Sequence, residues 1–231
     1  MYKIKILRTA HIDCANSVIF NDGNKQESTR IGCHSFLIER GEEYYLIDTG
    51  IEDIDIANKT KSSKSDWTRS DDEYAVKDAL ELFGVECSRI SKIFLTHSHY
   101  DHISGIVHFP NATIYMTQKE WELLYADDNP LKEYLGKAKT FLKDREVVLV
   151  DDELTIDGIT LKLRGGHTAG SMSIEVDNML FVGDTIFTQA NIEKSIPAGF
   201  TADRKRSDEL VEIYCNYNGR IITSHDFKEK I

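Results

Sequence analysis

The sequence predicts an α+β protein in which two packed sheets carry helices on their outer faces. Three observations lead there. Strand-like runs dominate both halves of the chain, each half also adds helices, and the first fifty residues read as hairpin-linked strands. A doubly wound parallel sheet fits that order less well.

Taken in order, "YKIKIL", "CHSFLIER" and "EYYLIDTG" are rich in β-branched and aromatic residues and close on Gly, Asp or charge, which predicts an antiparallel sheet. The polar stretch "EDIDIANKTKSSKSDWTRSDD" has no apolar period. It reads as a long surface loop, anchored by Trp67, and as a candidate substrate cover. From Asp72 onward, Tyr74, Val76, Ala79 and Leu80 recur near helical spacing, with Gly84 as the C′ residue. "KIFLT" and "NATIYM" read as strands, "QKEWELLYADD" and "PLKEYLGKAKTFL" as helices. Five strands follow in "REVVLV", "ELTI", "ITLKLR", "SMSIEV" and "NMLFVG", then a helix, "SDELVEIYCN", and a last strand, "GRIITS".

The totals predict one compact domain over residues 1–231. A chain of 231 residues buries roughly 70% of its extended surface, enough for a substantial core. Three prolines leave little room for long disordered linkers. Lys plus Arg is 28 against 39 for Asp plus Glu, a net charge of -11, so no basic field exists to attract phosphates and nucleic acid is not an expected partner. The N-terminus alternates like a strand and lacks both a signal-peptide core and a membrane-length apolar run, so no membrane partner is expected and the protein reads as cytoplasmic. Cys14, Cys33, Cys87 and Cys215 form no CxxC pair and read as four free thiols in a reducing compartment.

The chemistry concentrates in "LTHSHYDHISG". His97 and His99 are one residue apart just past a strand end, so in extended backbone they project to one side and can share a cation. Asp101 and His102 follow where a helix begins and turn toward a second position. A lone histidine pair reads as a solvated turn, whereas four costly polar groups beside an apolar strand call for a compensating cation. Imidazole nitrogen and carboxylate oxygen suit zinc or a similar first-row divalent ion. Three later strand ends repeat the theme: His167 in "RGGHTAGSMS", Asp184 in "LFVGDTIF" and His225 in "IITSHDF".

HxHxDH, then GHTAGS, GD and a late SHD together resemble the metallo-β-lactamase fold superfamily over nearly the whole chain, with Asp48 in "LIDTG" matching its early aspartate. The resemblance implies a four-layer αββα sandwich. It also implies that His97, His99 and His167 hold one divalent ion, that Asp101, His102 and His225 hold a second, and that Asp184 bridges them. Asp48 would lie behind the ligands. The ions would be zinc, with iron, manganese or cobalt as alternatives.

A bridging Asp184 separates the chain from true β-lactamases. "FPNATIYMTQKEWE" and "GDTIFTQANIEKSIPAG" are similar to the N-acyl homoserine lactonase-like family. That similarity implies a dinuclear metallohydrolase in which a metal-bridging hydroxide opens a lactone or related ester, with Asp101 relaying a proton and Asp184 joining the ions. The expected partner is a small-molecule ester, lactone or thioester, the protein acting as a monomer or homodimer. Many lactonases of that family carry Tyr where this chain has Phe187, which donates nothing. "GDTIF" also resembles glyoxalase II-type thioesterases, and mononuclear iron sulfur dioxygenases share HxHxDH but need fewer ligands. His11, His34 and His108 read as structural. Trp67, Phe187 and Phe200 read either as core or as an apolar wall for an acyl chain.

Overall fold

The computed structural model describes residues 2–61 and 64–227. Residues 62 and 63, in the stretch read as a surface loop, lie outside the described residues. The first sheet contains β1 (Lys3–Ala15), β2 (Ser28–Arg40), β3 (Glu43–Ile47), β4 (Ile90–Phe94), β5 (Thr113–Thr117) and β6 (Val147–Val150), in that spatial order. The second contains β7 (Glu153–Ile156), β8 (Ile159–Leu163), β9 (Met172–Val176), β10 (Met179–Phe181) and β11 (Arg220–Ile222), ordered β11-β10-β9-β8-β7. The expected antiparallel start is present in β1, β2 and β3, but β3 to β6 pair in parallel.

Helices occupy both outer faces: α1 (Asn16–Ile19), α2 (Ile54–Thr60), α3 (Val76–Leu82), α4 (Tyr100–Ile103), α5 (Gln118–Tyr125), α6 (Gly136–Lys143), α7 (Gln189–Lys194) and α8 (Arg204–Cys215). The period-2 pattern of the strands explains the layering. On β2 and β3, Phe36, Ile38, Tyr45 and Ile47 face the second sheet, where they meet Ile174 and Phe181. The alternate residues Leu37 and Leu46 face the other way, onto a core that includes Val76 of α3 and Leu124 of α5. Leu210, Val211 and Tyr214 of α8 cover the outer face of the second sheet. The result is the expected αββα sandwich.

Several boundaries differ from the sequence reading. The first hairpin runs longer than expected, with a register shift between Arg8 and Ala10. The polar stretch after Asp48 contains α2, which is capped by Asp53 accepting the Ile56 N–H at 3.1 Å and buries Ala57. About two turns within a polar segment leave too few apolar positions to register as a period. Trp67 does anchor this region: it is buried, its N–H donates to Asn58 Oδ1 at 2.6 Å, and the adjacent Thr68 pairs with His11 of β1. Helix α6 begins only at Gly136, because Asn129 Oδ1 takes the Leu131 N–H in a turn that holds the preceding residues out of the helix. Gly84 stands at C′ with φ +69°, as expected. The four cysteines are unbridged. Among the described residues no helix is long and apolar enough to cross a membrane.

Candidate metal centre

The ends of β3, β4, β10 and β11 and the β8–β9 connection converge on one edge of the sandwich. His97 and His99 follow β4, and His99 is the N-cap of α4, which carries Asp101 and His102. Gly165 (φ +69°) and Gly166 (φ +84°) turn the chain to present His167. Asp184 arrives behind Gly183 (φ +52°), where a Cβ would lie 2.7 Å from the Thr96 side chain, so only glycine lets Asp184 approach the β4 histidines. His225, just past β11, is fixed by a two-way bond with Gly32: the His225 carbonyl accepts the Gly32 N–H at 3.0 Å, and His225 Nδ1 donates to the Gly32 carbonyl at 2.6 Å.

All seven residues expected from the sequence meet here, in two sets that share one carboxylate. His97, His99, His167 and Asp184 form one set, and Asp101, His102, Asp184 and His225 the other, with the donor atoms of each set within 4.8 Å of one another. Asp184 Oδ2 lies 3.8 Å from His97 Nε2 and 3.4 Å from His167 Nε2. Its other oxygen, Oδ1, lies 3.1 Å from His102 Nε2 and 2.9 Å from His225 Nε2.

Hydrogen bonds behind the rings set the tautomers. His102 Nδ1 donates to Asp48 Oδ2 at 2.8 Å, His167 Nδ1 to the Phe200 carbonyl at 3.0 Å and His225 Nδ1 to Gly32, which turns each Nε2 lone pair inward. Asp48 itself is fully buried at φ +57° and accepts both the Thr96 N–H and hydroxyl at 2.8 Å. His102 Nε2, Asp184 Oδ1 and His225 Nε2 are buried atoms without a hydrogen-bond partner. Inward lone pairs facing a carboxylate repel unless positive charge lies between them, so this donor set fits first-row divalent cations.

The electrostatics agree. Burial pushes His97 well below the ordinary imidazole range and His167 down to about 4, so both are neutral, the form that ligates. Burial acts the same way on His102, but Asp184, Asp48 and Asp101 outweigh it and raise that ring well above the usual range; Asp184 does likewise at His225, so without a cation these two rings hold a proton against Asp184, the proton that a bound cation would displace to free each Nε2 lone pair. Burial would raise Asp184, yet the field of His225, His102, His167 and His97 holds it well below the carboxylate range. Such a site attracts positive charge.

Residues 28–213 match the metallo-beta-lactamase superfamily. The chain belongs to that superfamily. Similar proteins include a probable metallo-hydrolase of Methanocaldococcus jannaschii, 29% identical over 169 residues that span 72% of this chain and 73% of the relative. An N-acyl homoserine lactonase of Rhizobium radiobacter is 23% identical over 97% of this chain and 93% of its own. Among solved structures, a Bacillus thuringiensis AiiA variant with N-decanoyl-L-homoserine at its active site superposes with a TM-score of 0.80 at 18% identity, covering 98% and 94% of the two chains. The chain is a metallo-hydrolase of lactonase-like fold with a His/Asp cluster.

In this member of the superfamily the cluster opens into a pocket of about 120 Å³ lined by His99, Asp101, His167, Asp184 and His225 on one side. Ile12, Ile31, Trp67, Leu131, Phe187 and Phe200 supply apolar wall, so all three aromatics left open by the sequence line it. Phe187 stacks on His225 with ring centroids 5.3 Å apart. The remaining histidines lie elsewhere, as expected. His11 Nδ1 is 2.6 Å from Glu73, the buried His34 donates from Nε2 to the Asp226 carbonyl at 3.0 Å, and His108 is 2.7 Å from Glu52. Sequence reading missed Glu120, a buried carboxylate behind the ligand loops; in "QKEWE" it looks like an ordinary exposed helix charge.

Proposed function

We propose that this protein is a dinuclear metal-dependent hydrolase that opens a lactone or related ester. The observation carrying the reading is the pair of four-residue donor sets that share Asp184. In this reading His97, His99 and His167 hold one cation, Asp101, His102 and His225 hold the other, and each oxygen of Asp184 serves one side. Zinc suits the nitrogen and oxygen donors, with iron, manganese and cobalt as alternatives. Two divalent cations there would supply an acidified water at neutral pH and polarise the substrate carbonyl.

The chain's own residues do the rest. The apolar wall from Ile12 to Phe200 binds an acyl group and excludes water from the reacting centre. Asp101 is the more open of the two carboxylates, with its side chain 21% exposed against 5% for Asp184. It receives the proton lost by the attacking water and passes it to the leaving oxygen as the acyl C–O bond breaks. The near coverage of the Rhizobium radiobacter lactonase from end to end supports a lactone substrate.

Phe187 favours a second reading, thioester hydrolysis. It offers no donor to a departing alkoxide, whereas a thiolate, with a thiol pKa of about 8.5, departs near neutral pH without one. Purified protein loaded separately with zinc, manganese, cobalt or iron, assayed on lactones of graded acyl length and on acyl thioesters, tests both. Lactone opening by a form holding two cations per chain supports the first reading. Thioester cleavage alone selects the second, and inactivity of every loaded form on every ester removes both. One iron per chain with oxygen uptake would transfer the protein to the dioxygenases.

A further inference from the structure

Glu120 lies on α5 with 1% of its surface exposed, outside the cluster and unused by the mechanism. A buried carboxylate is costly unless it is fully hydrogen-bonded. Here each of its donors comes from a loop that carries metal-site histidines. Oε1 accepts the Ser98 N–H at 2.8 Å and the Ser98 hydroxyl at 2.6 Å; Oε2 accepts the Thr168 hydroxyl at 2.5 Å. Ser98 stands between His97 and His99, and Thr168 follows His167.

These two loops belong to different sheets. The first leaves β4 and the second joins β8 to β9. Only by holding their relative position can three imidazoles address one ion. The docking is tight: Thr117, the cap of α5, donates to the Gly170 carbonyl at 2.6 Å, and a Cβ on Gly170 would lie 2.2 Å from the Glu120 nitrogen. The second set is oriented by other groups, His102 by Asp48 and His225 by Gly32.

We propose that Glu120 is a positioning residue that clamps the loops bearing His97, His99 and His167, and so sets cation affinity in that half of the centre alone. The proposal rests on the two-cation reading above. Loss of an outer hydrogen-bond partner of a ligand commonly weakens metal binding about 10- to 100-fold. That loss falls on one half here, because the carboxylate touches neither Asp101, His102 nor His225.

The test titrates Zn²⁺ against a chromogenic chelator in two backgrounds, His225→Ala, which leaves the first set intact, and His167→Ala, which leaves the second. Glu120→Ala is expected to lower Zn²⁺ affinity about 10- to 100-fold in the first background and to leave it within about twofold in the second. Glu120→Gln, which keeps a carbonyl oxygen for Ser98, should fall between. Equal loss in both backgrounds, or none in either, overturns the proposal. Should Glu120→Ala not fold, Thr168→Val removes the Oε2 bond together with the Thr168 hydroxyl's 2.8 Å bond to the Ser171 hydroxyl and must show the same selective loss; unchanged affinity overturns the clamp equally. Unsubstituted protein that binds fewer than two Zn²⁺ overturns the two-cation reading itself, a result visible before any Glu120 variant is made.

Discussion

Asp48→Asn isolates the effect of a single proton position. Asn keeps the side-chain shape and tolerates the left-handed backbone at φ +57°, so the loop conformation is retained. The carboxylate accepts from Thr96 through both oxygens and from His102 Nδ1 through Oδ2. An amide has only one accepting oxygen. If its nitrogen faces His102, that ring must accept at Nδ1, its proton moves to Nε2, and the lone pair turned toward Asp184 is lost. If the nitrogen instead faces the Thr96 N–H, a buried donor goes unpaired at about 1–3 kcal/mol. The first outcome should weaken cation binding about 10- to 100-fold, equivalent to about 1.4–2.8 kcal/mol. The second should appear as lower stability of the metal-free protein. Zinc titration, urea unfolding and imidazole ¹⁵N shifts of His102 separate them. Zinc affinity and stability both within about twofold of the unsubstituted protein, in equilibrium-constant terms, would refute the role given to Asp48.

Ending the chain before Ser224 removes His225 together with the carbonyls that accept from Gly32 and His34; metal analysis should then find about one cation per chain, and near two would sink the assignment of His225. Phe187→Tyr adds a donor beside His225 and should raise lactone turnover roughly tenfold or more while leaving thioester turnover unchanged; equal effects on both substrates would argue against the leaving-group reasoning. Burial holds His34 down to about 4, and its Nδ1 has no partner to receive a proton. The unfolded ring titrates near 6.5, so the folded state binds fewer protons between those values; the stability is complete above about 6.5 and is lost as pH falls toward 4. Unfolding free energy should therefore drop by about 1.6 kcal/mol more between pH 6.5 and 5 than it does in His34→Gln, and parallel pH profiles would count against it.

The seven residues of the centre were legible in the sequence because each stands just past a strand end or in the first turn of the helix that follows one, in residue types whose grouping makes sense around a cation. Chemistry of that kind is written locally: HxHxDH fixes four side chains within six positions whatever the rest of the fold does. The two-layer arrangement of the strands was legible too, since alternation along each strand reports how many of its faces are buried. What only the tertiary structure decided depends on neighbours distant in sequence. Parallel pairing of β3 to β6 and the packing of α2 arise from contacts that no local period encodes. Glu120 looks solvated in its helix because its three donors come from loops 22 and 48 residues away, and the tautomers of His102, His167 and His225 follow from Asp48, Phe200 and Gly32, at separations of 54, 33 and 193 residues. Residue type supplied the ligands; the fold alone determined which atom of each faces the centre and what holds it there.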